Sequence, residues 1–415
     1  MISRVLVKCL ACGGPNTARI QVGHEQEQPV TFLCCHCGTE LRLRLVLDNP
    51  PRVGVQFEEN CEQGHEEGKV TNIAAGFTIG EADLHRDFYF PSFTMMRQSR
   101  GAMEAAFERI QIPPDAQGPI LLDATMMLGA LRESAEFWRT LKQALRFNST
   151  GQEELKEKQL DKFWELADQA GFAKPFDSDK SIGNALFAFF QRFMQPGTVE
   201  WLRPLGDTIK KAIGVNRNEV AKFAAHYELE LKKDRFQNYA EIFSEYFKAY
   251  GEFNQTLMYV RLGDKLPQDA MATSMDFERT RMFYGNAYEI LGSHLDLPAA
   301  FNNILAGRPF DQMEKMDLKL YRTINKANRT TCFASNPELS RLVMEYDSTV
   351  RNASHHRWFK LNDARTKIAY RSGGTGAVRQ MSYAEYLFRC NKLTLQLMVM
   401  AAIELWFIRV MGRSL

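Results

Sequence analysis

At 415 residues the chain is long enough for two or three domains. Its 45% hydrophobic and 25% charged residues, with 29 Phe and 13 Tyr as packing groups, exclude a disordered polymer. Lys and Arg number 52 against 50 Asp and Glu, which excludes capture of nucleic acid by bulk charge and requires any such contact to be local.

The opening MISRVLVKCLACGG has no apolar run of the secretory kind, so a cytoplasmic location is expected. Five of the eight cysteines fall within the first 37 residues. Around them ARIQV, VTFLC, ELRLRLVLD and RVGVQF alternate as short strands, so residues 1–83 read as a small β unit. Cys9 with Cys12 and Cys34 with Cys37 form two CxxC pairs. The following Gly13, Gly14 and Gly38 suit tight turns whose amides point at sulfur. Four thiolates on two such turns make the closed tetrahedral set of a structural Zn²⁺, with no position open for a catalytic water.

The 21 residues between the pairs slightly exceed the usual range of about 15 to 20, which a hairpin insertion at GHEQEQP accommodates. Disulfides do not suit a cytoplasmic chain, and a thioredoxin-like pair needs a βαβ context. Cys35 and His36 lie inside the second pair. Cys61 and His65 in NCEQGHEE are spaced like ligands but have nothing nearby to complete a site, and a solvated loop is expected there. Residues 1 to about 58 resemble a zinc ribbon, a module that binds nucleic acid, docks proteins or serves as scaffold.

From about Phe90 the periods become helical, with breaks expected at 111–119, 174–179 and 195–207. Residues 84–230 are expected to be a helical sensor or scaffold. Phe236, Tyr239, Phe243, Tyr246, Tyr250, Phe253, Leu257 and Val260 step by three and four, predicting one long helix with a core-facing seam. PELSRLVMEYDSTVRNASHHRWF predicts another helix. KIAYR and AVRQM flank a glycine turn as a hairpin, and GGTGAV lacks the Lys-Ser or Lys-Thr of a P-loop. SYAEY opens the last helix, with Ser382 as N-cap and Glu385 at the capping-box position. Residues 393–411 are apolar enough to suggest a membrane span, but Gln396, Glu404 and Arg409 interrupt them, so a buried or interface helix is expected. The expected fold is mainly α, a small N-terminal β zinc ribbon followed by a large α-helical region.

Within RNASHH, Asn352 and His356 share one helical face and Arg351 and His355 another, so spacing alone does not choose between the histidines. Imidazole, amide and guanidinium suit proton transfer, orientation and phosphate binding. The segment resembles the HEPN family, whose ribonucleases carry Arg, a polar residue often Asn, three variable residues and His. The match falls on Arg351, Asn352 and His356, and the resemblance covers about residues 231–415.

The resemblance implies a HEPN-like helical bundle ending the chain and a metal-independent RNA endonuclease that leaves a 2′,3′-cyclic phosphate. In it His356 moves protons, Arg351 holds transition-state charge and Asn352 orients. It also implies a homodimer whose two motifs face each other; the last apolar helix, 393–411, and the aromatic seam, 236–260, are the candidates for burying that contact. The implied setting is a latent toxin in anti-phage, abortive-infection defence, released by a trigger protein or ligand. Trp358 stands where one toxin branch has Tyr, so that branch's regulation is not carried over. The alternative is a non-catalytic module whose ribbon binds nucleic acid or protein on a helical scaffold.

Overall fold

The computed structural model describes residues 2–23, 26–47, 52–74, 76–89, 100, 104, 134–172, 181–195, 197–362, 366–373, 375–413 and 415. In chain order the strands are β1 (Ile2–Cys9), β2 (Pro15–Gln21), β3 (Glu27–Leu33), β4 (Glu40–Leu47), β5 (Val53–Glu59), β6 (Cys61–Gln63), β7 (Lys69–Ala74) and β8 (Ile79–Gly80). The helices α1 (Ser134–Ser149), α2 (Glu153–Gln169), α3 (Ile182–Met194), α4 (Thr198–Val215), α5 (Arg217–His226), α6 (Lys232–Lys248) and α7 (Tyr250–Arg261) follow. Then come β9 (Ala270–Met271), α8 (Phe283–His294), α9 (Asp296–Leu305), α10 (Ser348–His355), β10 (Lys360–Leu361), β11 (Lys367–Tyr370), β12 (Arg379–Ser382) and α11 (Tyr383–Val410). The expected breaks at 111–119 and 174–179 lie outside the described residues.

The chain forms two compact units. The first comprises 1–133, 249–282 and 352–391, the second 134–248, 283–351 and 392–415. In the first, one sheet has the order β6-β1-β2-β7, with β1 and β2 antiparallel and β2 and β7 parallel, and a second has the order β3-β4-β5. Strict alternation on β4 buries Leu41, Leu43 and Leu45, while Arg42 and Arg44 face outward onto Glu40, Glu27 and Glu58. Cys61 is a buried residue of β6 opposite Cys9, its thiol 3.0 Å from the Arg42 carbonyl, which corrects the solvated-loop expectation. Strand pairing, which a lone CEQ triplet does not announce, put it there.

In the second unit Trp138 of α1 packs on Phe189 and Phe190 of α3 and on Phe243 and Phe247 of α6. The 195–207 break shrinks to the residues before Thr198, and Pro204 lies inside α4. The missing Pro204 N–H would orphan the Glu200 carbonyl, which instead lies 3.5 Å from Arg341 Nη1.

The aromatic seam is buried at all eight positions, as a core face should be. It is two helices, not one: Ala249 leaves helical geometry at φ −107° and ψ 22°, and its carbonyl accepts from Glu252 N to start α7. The helix expected from Pro337 also divides, into a helical turn Pro337–Ser340, a 3₁₀ turn Arg341–Val343 and α10. Asp347 starts α10 by accepting from the Thr349 amide, as Asx residues do where a new helix is begun. The hairpin before the last helix is present as the antiparallel sheet β10-β11-β12, and Glu385 N donates to Ser382 Oγ at 3.0 Å.

α11 is long and apolar enough to cross a membrane, but 83% of its most apolar window is buried within the protein. Glu404 on it is fully buried and accepts from Arg235 Nη1 at 2.7 Å and from the Tyr239 hydroxyl at 3.0 Å, with Tyr227 on its other oxygen. Both surfaces expected to bury a dimer contact are therefore already covered inside the chain.

Candidate functional site

The cysteine motif folds as two hairpin tips. The first turn joins β1 to β2 and carries Cys9 and Cys12; the second joins β3 to β4 and carries Cys34 and Cys37. In each, the amide of the glycine after the second cysteine donates to the carbonyl of the first, Gly13 to Cys9 and Gly38 to Cys34, both at 2.9 Å. Both glycines sit at φ 73°, a left-handed backbone that a side chain would strain. All four sulfurs lie within 4.8 Å of one another, with Cys9 to Cys37 at 3.8 Å and Cys12 to Cys34 at 3.7 Å.

Sulfurs about 2.3 Å from a central ion at tetrahedral angles are about 3.8 Å apart, so the spacing fits a metal and is far too long for disulfide bonds. Burial raises the Cys34 thiol, but the amides of His36 and Cys37 and the Asn16 side chain outweigh it and lower it. Hydrogen bonding with the Thr39 hydroxyl and amide lowers Cys37 to about 6. The second turn thus favours thiolates at Cys34 and Cys37, the form a metal takes, whereas at Cys12 the Gly14 amide is outweighed by the neighbouring Cys37, Cys34 and Cys9 thiols and by burial, and the thiol is raised.

Sequence reasoning missed Asn16. Fully buried, it donates to Gly14 O at 3.0 Å and lies 3.4 Å from Cys34 Sγ, while its oxygen accepts from Cys35 N at 2.8 Å. One side chain thereby ties the two turns together. His36 and Cys35 point elsewhere, His36 Nε2 to the Pro15 carbonyl at 2.9 Å and Cys35 Sγ to Thr71 Oγ1 at 3.4 Å. His65 is exposed.

The RNASHH residues end α10. Arg351 places Nε 2.5 Å from Glu289 Oε1, and Glu289 also takes Lys326 Nζ at 2.7 Å. Half-burial alone would raise Glu289, yet Lys326 and Arg351 hold it below the usual carboxylate range. Asn352 Nδ2 donates to Ser372 Oγ at 2.9 Å. The division between the two units falls at the 351–352 bond inside this helix.

The two histidines separate. His355 is the last helical residue and half-buried; its Nε2 is enclosed and makes no hydrogen bond among the described residues. His356 is exposed in the turn beyond, its amide bonded to Asn352 O at 3.0 Å. Trp358 N bonds back to Ala353 O at 2.9 Å, the Schellman closure, with Arg357 at φ 56° in the position glycine ordinarily takes. Glu289 and Ser372 carry no motif spacing and could not be found from sequence.

The second unit also holds a cavity of about 550 Å³ floored by Leu160, Ile182 and Leu405. Lys156, Arg409 and Arg413 on its wall are largely offset by Glu157 and Asp161, so it selects no ligand charge.

No family model matches the chain, and no curated protein or solved structure does.

Proposed function

We propose that the chain is a metal-independent RNA endonuclease of the HEPN type, acting as a homodimer, with Zn²⁺ held by Cys9, Cys12, Cys34 and Cys37 as a structural ion. The reading rests on the end of α10, where only one of the two histidines stands in solvent. It is the one that completes the Arg, Asn, three residues, His pattern, and partners hold the Arg and Asn side chains before it. His356 takes the proton of a ribose 2′-hydroxyl as that oxygen attacks the neighbouring phosphorus. The bond to the 5′-oxygen breaks, leaving a 2′,3′-cyclic phosphate, and a second motif copy brought by dimerisation protonates the leaving oxygen. Arg351 balances charge on the phosphoryl oxygens, and Asn352, fixed by Ser372, orients phosphate or imidazole. A latent effector of anti-phage defence, released by a trigger protein or ligand, is the setting such an activity fits.

The test is cleavage of labelled RNA in EDTA. Arg351→Ala and His356→Ala each reduce the rate by at least about 100-fold, while His355→Ala cuts within a few-fold of wild type. Unimpaired cleavage by His356→Ala refutes the reading. A second reading, a binding module built on the ribbon, draws on the closed four-thiolate site, which offers no position for chemistry. It requires Cys→Ser variants to lose ligand binding while Arg351 and His356 are dispensable.

A further inference from the structure

The turn after α10 and the sheet β10-β11-β12 carry positive charge that the described residues do not neutralise. Residues 352–391 hold seven Lys or Arg against two Asp or Glu, in a chain that is otherwise close to balanced. Arg357, Lys360, Lys367 and Arg379 are exposed, and none makes an ion pair among the described residues. Exposed cations elsewhere do, as Arg4 with Glu67, Lys8 with Glu62 and Lys222 with Glu219.

Strand register arranges this charge. Lys360 stands opposite Ala369, which stands opposite Gln380, and Lys367 lies two residues back along β11, so Lys360, Lys367 and Gln380 share the outward face. Ile368 and Met381 fill the buried inner face. On the loops flanking these strands the Arg371 guanidinium lies 4.3 Å from the Trp358 ring centroid, both half-exposed, presenting a planar cationic π surface. Arg357 keeps a left-handed backbone where glycine would rest without strain.

We propose that this turn and sheet form a track for an extended single strand of RNA. Lys360 and Lys367 on the outward face, with Arg357 in the turn before them, meet successive phosphates, and a base stacks on the Trp358–Arg371 pair; Arg379, opposite Tyr370, lies on the other face and is not part of the track. Single strands are favoured over duplexes because bases inside a duplex stack on each other and offer no face to an aromatic ring. The inference rests on the nuclease reading of α10 for its choice of RNA, and names how that substrate is held.

Binding is measured by fluorescence anisotropy on the full-length His356→Ala protein, so that nothing is cut. A labelled 20-mer of uridine should bind at least about tenfold tighter than a blunt RNA duplex of equal length. Lys360→Gln with Lys367→Gln should weaken it by at least about tenfold and flatten the log–log salt dependence by about 1.4, from about 0.7 per phosphate contact. Trp358→Ala should weaken it with the salt slope kept.

Arg357→Gly should weaken binding several-fold while the melting temperature holds or rises, a pairing that a merely structural role would not produce. Equal affinity for strand and duplex overturns the proposal, as does equally strong competition by heparin, or affinity within twofold after the lysine changes. Strand binding through these residues by a wild type that does not cut would sink the nuclease reading alone. Cutting unaffected by the lysine changes would sink the track alone.

Discussion

Glu252 is the residue whose chemistry the fold changes most clearly. Burial raises its carboxyl to about 7, against the Tyr383 hydroxyl at 2.9 Å and Ser274 Oγ at 3.3 Å, which hydrogen-bond to it. Since the native state holds the proton that the unfolded chain has released, stability falls as pH rises from the unfolded value near 4.5 through about 7 and is flat above. The full penalty is at most about 3 kcal/mol. Glu252→Gln should therefore melt higher than wild type at pH 8, with the difference closing toward pH 5; a pH-independent difference in denaturant titrations would show that the carboxyl does not titrate. Arg357 is the second such residue. Its left-handed backbone costs about 1 kcal/mol relative to glycine, so Arg357→Gly should gain about that in chemical denaturation. A loss instead would mean that the Arg357 side chain packs favourably enough to outweigh the strain.

At the scale of the element, the cysteine turns were the most legible part of the chain. CxxC followed by glycine states both ligands and turn, and the four sulfurs converge as the spacing required. Strand alternation on β4 and the seam from Phe236 to Val260 were equally plain, since burial repeats at fixed intervals there. The breaks were not. Ala249 is a helix-forming residue that ends α6, and Pro204, a helix breaker, lies within α4 because Arg341 reaches the orphaned carbonyl. The second of these rests on a partner 141 residues from the carbonyl it meets, which local propensity does not contain. Asn16 was invisible because its partners, Cys34 and Cys35, lie 18 and 19 residues on in the other turn, and it carries a prediction. Asn16→Ala leaves the Cys35 amide without its acceptor and removes one of the donors to the Cys34 sulfur, so metal should be released to a colorimetric chelator at about 10- to 100-fold lower competitor concentration. Unchanged release would show that the turns hold their geometry without it.

Across the whole molecule, the chain passes between its two units five times, at 133–134, 248–249, 282–283, 351–352 and 391–392. Hydrophobic period identifies elements but not which ones pack together, so a contiguous division at 83 and 230 had no signal by which to anticipate this interleaving. The consequence concerns residues 231–415. Cut out alone, that piece would hold 249–282 and 352–391 of the first unit without the N-terminal sheets, and β9 would lose β8, the strand it pairs with. It would also hold α8, α9 and part of α11 without α1 to α5, leaving Trp138, Phe189 and Phe190 absent from the packing of Phe243 and Phe247. Exposing two half-built cores at once removes more apolar burial than a marginally stable domain retains. The 231–415 fragment should therefore show no cooperative thermal transition by circular dichroism and should bind a hydrophobic dye, whereas the full chain melts cooperatively. A sharp melt from the fragment would establish that its segments repack without the rest, and that the motif of α10 belongs to a self-sufficient bundle.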